Sequence, residues 1–246
     1  MDRSQVHFGR TVIAYAIARG RRQKTVAIRV DATGGVIVRA PLDTPIATLD
    51  TIVHRKARWI LERTRDHEDL PPPPSAREFT SGETFRYLGR QYRLKLERSD
   101  ARDAEVRLAL GHLIVPVPMS IPTPTTIDAA DIARARLVAW YRERAQARIA
   151  DRVATWAQKL NLHPASVQIR DQQKRWGSAD ARGNLRINWR IVQAPTRLID
   201  YVIAHELIHL IHPDHTRDFW ATLGHAMPDY EARREALRRL GAQIVW

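Results

Sequence analysis

The sequence predicts an α+β protein, with an N-terminal, mostly antiparallel β region carrying one helix over residues 1–124 and an α/β domain over 125–246. Three observations carry this expectation. In the first half, short runs alternate apolar and polar residues between Gly- and Pro-containing turns. Residues 128–160 repeat apolar side chains at three- and four-residue steps. Residues 195–212 form a strongly apolar helical pattern that nevertheless carries histidines and a glutamate.

Composition bounds the rest. A chain of 246 residues, 44% hydrophobic, can bury one large core or two smaller ones. No apolar run reaches the length of a membrane span, and the first ten residues lack the apolar centre of a signal peptide. Cysteine is absent, so disulfides are excluded, a metal site must be built from His and carboxylates, and a reducing cytoplasm is the expected home. The net charge is +13, with Arg far outnumbering Lys. That surplus suits phosphate or carboxylate partners, although no block of like charges is present and the charge is dispersed.

Residues 11–18, 25–30 and 36–38 read as strands, with a short basic loop at 19–24 and a turn at 31–35. Pro41 ends them. Residues 44–66 then read as one helix burying Ile46, Leu49, Ile52, Val53, Trp59 and Ile60. The prolines at 71–74 form a stiff connector. Strands follow at 85–88, 92–96, 106–110 and 113–117, and a proline-rich stretch at 116–124 marks the domain boundary. A helix over 128–160 carries Leu137, Tyr141, Ala145, Ile149, Val153 and Trp156 on one side. Residues 167–170 read as a strand, 171–180 as a loop and 184–192 as a half-buried strand whose edge is available to an extended substrate. Two helices, 216–226 and 228–240, close the chain, residues 244–246 dock or add a strand, and no internal repeat is visible.

The chemistry lies in the helix starting at Pro195. It contains H-E-x-x-H as His205, Glu206 and His209. Residues four apart share a helix face, so the two imidazoles can hold one cation while Glu206 reaches a water beside it. The site needs a third ligand. His212 falls just before Pro213, where the helix must end, and reads as a helix-end histidine favoured by the dipole. His215 lies beyond the turn, where the chain folds back, and is the preferred ligand. His225 is further away and reads as structural.

The run K-R-W-G-S at 174–178, G-N-L-R-I-N-W-R at 183–190, D-Y-V-I-A-H-E-L-I-H-L at 200–210, His215, and Phe219 with Trp220 together resemble the YgjP-like metallopeptidases, related to SprT-type zincins. The similarity extends into the N-terminal half, at 22–30, 36–41 and 82–94. The resemblance implies a zincin-like C-terminal domain with an H-E-x-x-H active-site helix, one Zn2+ on His205, His209 and His215, and Glu206 as general base. Arg175, Trp176 and Asn188, in the shared segments, are the candidate substrate contacts. The family often has Cys after W-G-S, whereas this chain has Ala179, which excludes a metal or redox role there.

The expected activity is therefore zinc-dependent hydrolysis of a polypeptide, with the oxyanion stabilised by His225, Tyr230 or Arg175. The positive charge leaves open hydrolysis of a nucleotide phosphoanhydride and a DNA-associated, SprT-like protease. A binding module with structural zinc would need a fourth ligand, which no nearby Cys or His supplies but a glutamate from elsewhere in the chain could.

Overall fold

The computed structural model describes residues 2–31, 35–68, 75–99, 101, 104–119 and 128–244. It divides into two compact units, Met1–Pro72 and Pro73–Trp246. The connector at 71–74, most of the stretch at 116–124, the centre of the turn at 31–35 and residues 245–246 lie outside the described residues.

In the first unit, β1 (Asp2–Phe8), β2 (Thr11–Arg19), β3 (Ala27–Val30) and β4 (Val36–Ala40) form a sheet of order β1-β2-β4-β3. The outer pairs are antiparallel, while β2 and β4 run parallel. The sequence did not announce β1, because its D-R-S-Q-V-H-F buries only Val6. Full pairing with β2, from Asp2↔Ile17 to Phe8↔Thr11, makes it a strand. The single helix expected over 44–66 is two, α1 (Ile46–Arg55) and α2 (Ala57–Glu68), separated at Lys56. Leu49, Val53, Ala57 and Ile60 face the core, whereas Trp59, expected there, is 45% exposed, and Ile46 is exposed too. Ser4 and Tyr15 both donate to Asp50 Oδ1, tying the β1–β2 hairpin to α1.

The second unit opens with β5 (Thr84–Tyr87), β6 (Arg90–Arg98), β7 (Arg107–Ala109) and β8 (His112–Val117), in the order β5-β6-β8-β7. Its strand pairing reproduces that of the first sheet. Gln5↔Ala14, Tyr15↔Val36 and Arg29↔Ile37 in one correspond to Thr84↔Arg93, Leu94↔Leu113 and Arg107↔Ile114 in the other. A helix follows each sheet. The chain thus contains a repeated ββββα pattern, which corrects the expectation of no internal repeat. The two copies share too few residue identities for the eye to align, and only the hydrogen-bond register shows the correspondence.

The 32-residue helix α3 (Ala129–Leu160) lies where its periodicity placed it. Asp128 caps it by accepting from the Asp131 amide, and Asn161, at φ 52°, ends it in the left-handed conformation. Phe85, Leu94, Leu113 and Val115 of the sheet share one core with Leu137 and Tyr141 of α3 and Ile203 of the metal-motif helix. This common core is why the units separate at Pro72 and Pro73 and not at the expected 124.

A three-stranded sheet of order β10-β11-β9 follows, built from β9 (Ser166–Arg170), β10 (Gly177–Ala179) and β11 (Asn184–Asn188). β10 was expected to be loop. β11 ends at Asn188, short of the expected 192, because the Asn188 side chain accepts from the Arg190 amide and starts a 3-10 helix, Trp189–Gln193. β11 is also central, antiparallel to β10 and parallel to β9, so it has no free edge for a substrate. Helices α4 (Thr196–Ile208), α5 (Arg217–Ala226) and α6 (Tyr230–Gly241) complete the unit. The β5–β6 turn abuts the start of α4. Gly89, at φ 80°, donates to Gln193 O, and a β-carbon there would stand 2.7 Å from Pro195 Cγ. Among the described residues no helix is long and apolar enough to cross a membrane.

Candidate metal centre

Helix α4 is buried on almost every side, by Leu198, Ile199, Val202, Ile203, Leu207 and Ile208 among others. It carries His205 and Glu206 in its last turn, and His209 is its C-cap. The helix stops at Ile208, before Pro213, and three turn residues swing the chain back. That reversal brings His215 to the pair. His205 Nε2 lies 2.9 Å from His215 Nε2 and 3.3 Å from His209 Nε2, and one ligand atom from each of the three lies within 4.8 Å of the others. Among the described residues no fourth His, Cys, Asp or Glu joins this group.

The rings are held from behind. His209 Nδ1 is 3.0 Å from His212 O. With its proton donated there, Nε2 keeps a lone pair aimed at the cluster. His215 stacks on Trp220 at 5.4 Å, and His209 lies against Phe219 at 4.7 Å. Both aromatics belong to α5, whose N-cap Thr216 directly follows His215 and accepts from the Phe219 amide. His205 packs against Phe219 and Tyr201, and its buried Nδ1 has no hydrogen-bond partner among the described residues. Burial, then the neighbouring His209 and His215, depresses the His205 pKa to about 3, and burial also lowers that of His215. Neutral imidazoles whose lone pairs converge repel unless a cation lies between them. A tetrahedral ion bound to nitrogens at about 2.0–2.1 Å brings those nitrogens to roughly this separation. The donor set fits a divalent metal.

Glu206 is 7% exposed. Burial raises its pKa to about 7, opposed by the Ala179 amide, which donates to its carboxylate, and by Arg175. Its neighbour is Gly177 of β10, where a β-carbon would fall 2.7 Å from Glu206 Cγ and 2.8 Å from Oε1. The strand and the helix approach this closely because the glycine has no side chain.

A cavity of about 300 Å3 opens beside His205 and Glu206, lined also by Arg175, Trp176, Tyr201, Arg234 and Arg238. Arg175 and Trp176, named from the sequence, are thus at the site. Asn188 is 3% exposed, and its side-chain amide donates to Gln172 O and Arg175 O. It anchors the loop that presents Arg175 and Trp176. His225 is exposed, Tyr230 stacks on Trp220, and neither lines this cavity. His212 acts through its backbone oxygen on His209, while its ring lies 3.2 Å from Thr222 Oγ1. Sequence reasoning missed Tyr201, Arg234 and Arg238. Tyr201, one turn before His205, could have been found by its spacing. The arginines of α6 reach the site only through the tertiary fold.

A helix-borne histidine pair, a third histidine on the returning chain and a buried carboxylate define a metal-dependent hydrolase. The chain belongs to the YgjP-like family: the family model described as "YgjP-like, metallopeptidase domain" matches residues 24–240, most of its length, and the chain is a metal-dependent peptidase of that family. A search of curated proteins returned no match. Among solved structures, the metallopeptidase zymogen abylysin of Pyrococcus abyssi aligns at 17% identity and a TM-score of 0.35, over 39% of this chain and 99% of its own. The metallopeptidase zymogen jannalysin of Methanocaldococcus jannaschii aligns at 24% identity and a TM-score of 0.33, over 38% and 88%.

Proposed function

We propose that the protein hydrolyses peptide bonds with one zinc ion held by His205, His209 and His215 and with Glu206 as general base. The observation that carries this reading is the convergence of three imidazoles beside a buried carboxylate. Zinc is the ion of choice because the donor set is all imidazole and a position stays open for substrate. When bound, it supplies Lewis acidity to the scissile carbonyl and acidifies water. Glu206, buried beside His205, takes a proton from the attacking water and returns it to the leaving amine. Arg175, Arg234 and Tyr201, in the same cavity, are the donors available to the developing oxyanion. Asn188 acts as a positioning residue for the 172–175 loop.

The substrate strand is assigned to β10. Toward β11, Trp176 O accepts from the Asn188 amide and the Asp180 amide donates to Asn184 O. In an antiparallel ladder the intervening groups alternate, so those of Gly177 and Ala179 turn to the outer edge, where the Ala179 amide is held by the Glu206 carboxylate and the Gly177 groups and Ala179 carbonyl face a peptide. An extended peptide added there presents its backbone to the site.

Glu206→Gln tests the chemistry. It should keep zinc by elemental analysis and lose roughly a hundredfold or more of peptide cleavage. Unchanged turnover in the zinc-loaded variant would remove Glu206 from the reaction. His215→Ala should lose zinc, and a variant that retains full stoichiometry would remove His215 from the ligand set.

A second reading is hydrolysis of a nucleotide phosphoanhydride, favoured by the three arginines, 175, 234 and 238, that line the same cavity. Chelator-sensitive phosphate or pyrophosphate release from nucleoside triphosphates, with no cleavage of peptides, would establish it over the first.

A further inference from the structure

Beyond Trp176 lies a second cavity, of about 660 Å3, which shares Arg175, Trp176, Leu237 and Arg238 with the first. Trp176 forms the partition. Its indole lies against α6 where Gly241 lacks a side chain, and a β-carbon there would approach Cζ2 to 3.2 Å. The walls of the second cavity carry Arg134, Lys174, Arg175, Arg190 and Arg238, and no acidic residue among the described ones. Two of these cations are neutralised, Arg190 by Asp171 and Arg238 by Glu235. Arg134 and Lys174 have no ion pair among the described residues, Arg175 interacts electrostatically with Glu206, and the Arg134 guanidinium rests 5.9 Å over the Phe79 ring. Unpaired cations in a concave wall concentrate positive potential and leave hydrogen-bond donors aimed at an anion.

The place of this cavity along the chain limits what that anion is. The loop carrying Lys174 and Arg175 runs directly into β10, whose outer edge borders Glu206. An extended peptide on that edge advances about 3.3 Å per residue, so a few residues beyond the scissile bond it passes Trp176 and enters the cavity. The cations not neutralised by an ion pair come from α3, as Arg134, and from the loop that runs into β10, as Lys174 and Arg175. Because that loop continues into the strand on which the peptide is placed, the anions that a bound peptide brings to these cations are its own carboxylates. We propose that this second cavity is a substrate subsite for carboxylates, and that it directs the enzyme to peptides with acidic residues a few positions from the cleaved bond. The inference rests on the peptidase reading for its route of entry, but binding can be measured without turnover.

The test uses fluorescein-labelled peptides of about ten residues, identical except for a Glu, Ala or Lys cluster on one side of the centre or the other, added to the full-length Glu206→Gln protein. Fluorescence anisotropy should show the Glu peptide bound about tenfold or more tighter than the Ala peptide, and the Lys peptide weakest. The preference should collapse near 0.5 M salt, where screening is within about 4 Å, and in the Arg134→Gln/Lys174→Gln double variant. Amidating the C-terminus identifies the source of the carboxylate: a preference that survives comes from side chains, and one that vanishes comes from the chain end. Equal affinity for the three peptides overturns the proposal, as does a double variant with undiminished preference. Tighter binding of inorganic triphosphate than of the Glu peptide also overturns it, in favour of phosphate. Wild-type cleavage of all three peptides at one rate, without a binding preference, removes only the subsite and leaves the peptidase standing. A binding preference with no cleavage of any peptide keeps a carboxylate-binding cavity and overturns its role in directing cleavage.

Discussion

Gly177 has no side chain, and Glu206 occupies the space beside it. The substitution Gly177→Ala would press a methyl against Glu206 Cγ, near the root of a buried side chain that has little room to yield. Peptide cleavage should fall about tenfold or more while circular dichroism and zinc content hold, and a variant with wild-type turnover would show that the contact is slack. Asp180 makes a second prediction. Its carboxylate accepts from the Asn184 amide, the Asn184 side chain, the Arg182 amide and Arg186 across the β10–β11 turn. These contacts, the Asn184 backbone bond foremost, lower its pKa from 3.8 to about 2. A carboxylate with a depressed pKa stabilises the fold fully above its unfolded value and loses that contribution as pH falls toward the folded one. The stability gap between wild type and Asp180→Asn should therefore stay constant above pH 4 and close between about 4 and 2, as urea titrations at stepped pH would record. At this scale His205, Glu206, His209 and His215 could be read from the sequence, because helix spacing and a turn are local. Arg234, Arg238 and the partnership of Gly177 with Glu206 could not be read, because each joins segments far apart in sequence.

Among the elements, α4 matters most, and a side-chain pair fixes it to α3. Arg152 grips Asp200 with two hydrogen bonds, of 2.6 and 2.8 Å. Asp200→Ala leaves Arg152 without this partner and should cost roughly 2 kcal/mol in denaturant unfolding. A loss below a few tenths would mean that the pair contributes nothing net. Long periodic elements were legible: α3, α5 and α6 lie within a residue or two of their patterns, because burial on one face repeats over several turns. Short ones were not. Three residues of β10 carry no period, and the polar sequence of β1 takes its conformation from its partner strand. The 3-10 helix after β11 alternates like a strand in sequence, but a local Asn188 cap decided its form.

For the whole molecule, the repeated ββββα pattern makes a quantitative demand. Val38 on β4 and Val115 on β8 occupy equivalent register positions, and both are fully buried. Val38→Ala and Val115→Ala should each destabilise their own sheet by about 2 kcal/mol, measured by amide hydrogen exchange of the respective strands. A large effect at one and none at the other would mean that the shared pairing does not extend to packing. The mixed α+β class followed from the sequence. The division at Pro72 and Pro73 did not, since proline-rich stretches flank both candidate boundaries and only the sharing of a core distinguishes them.

The third histidine sits on a turn between two helix ends, after an Ile211 that is 51% exposed and beside Pro213 and Asp214, both on the surface. A cation gripping His215 would clasp that turn like a buckle. Stripping the ion with a chelator should open the stretch 211–216 to nicking by a nonspecific protease, and restoring it should close the stretch again. Occupancy of the centre could then be followed on a gel, without any knowledge of what the enzyme naturally cuts.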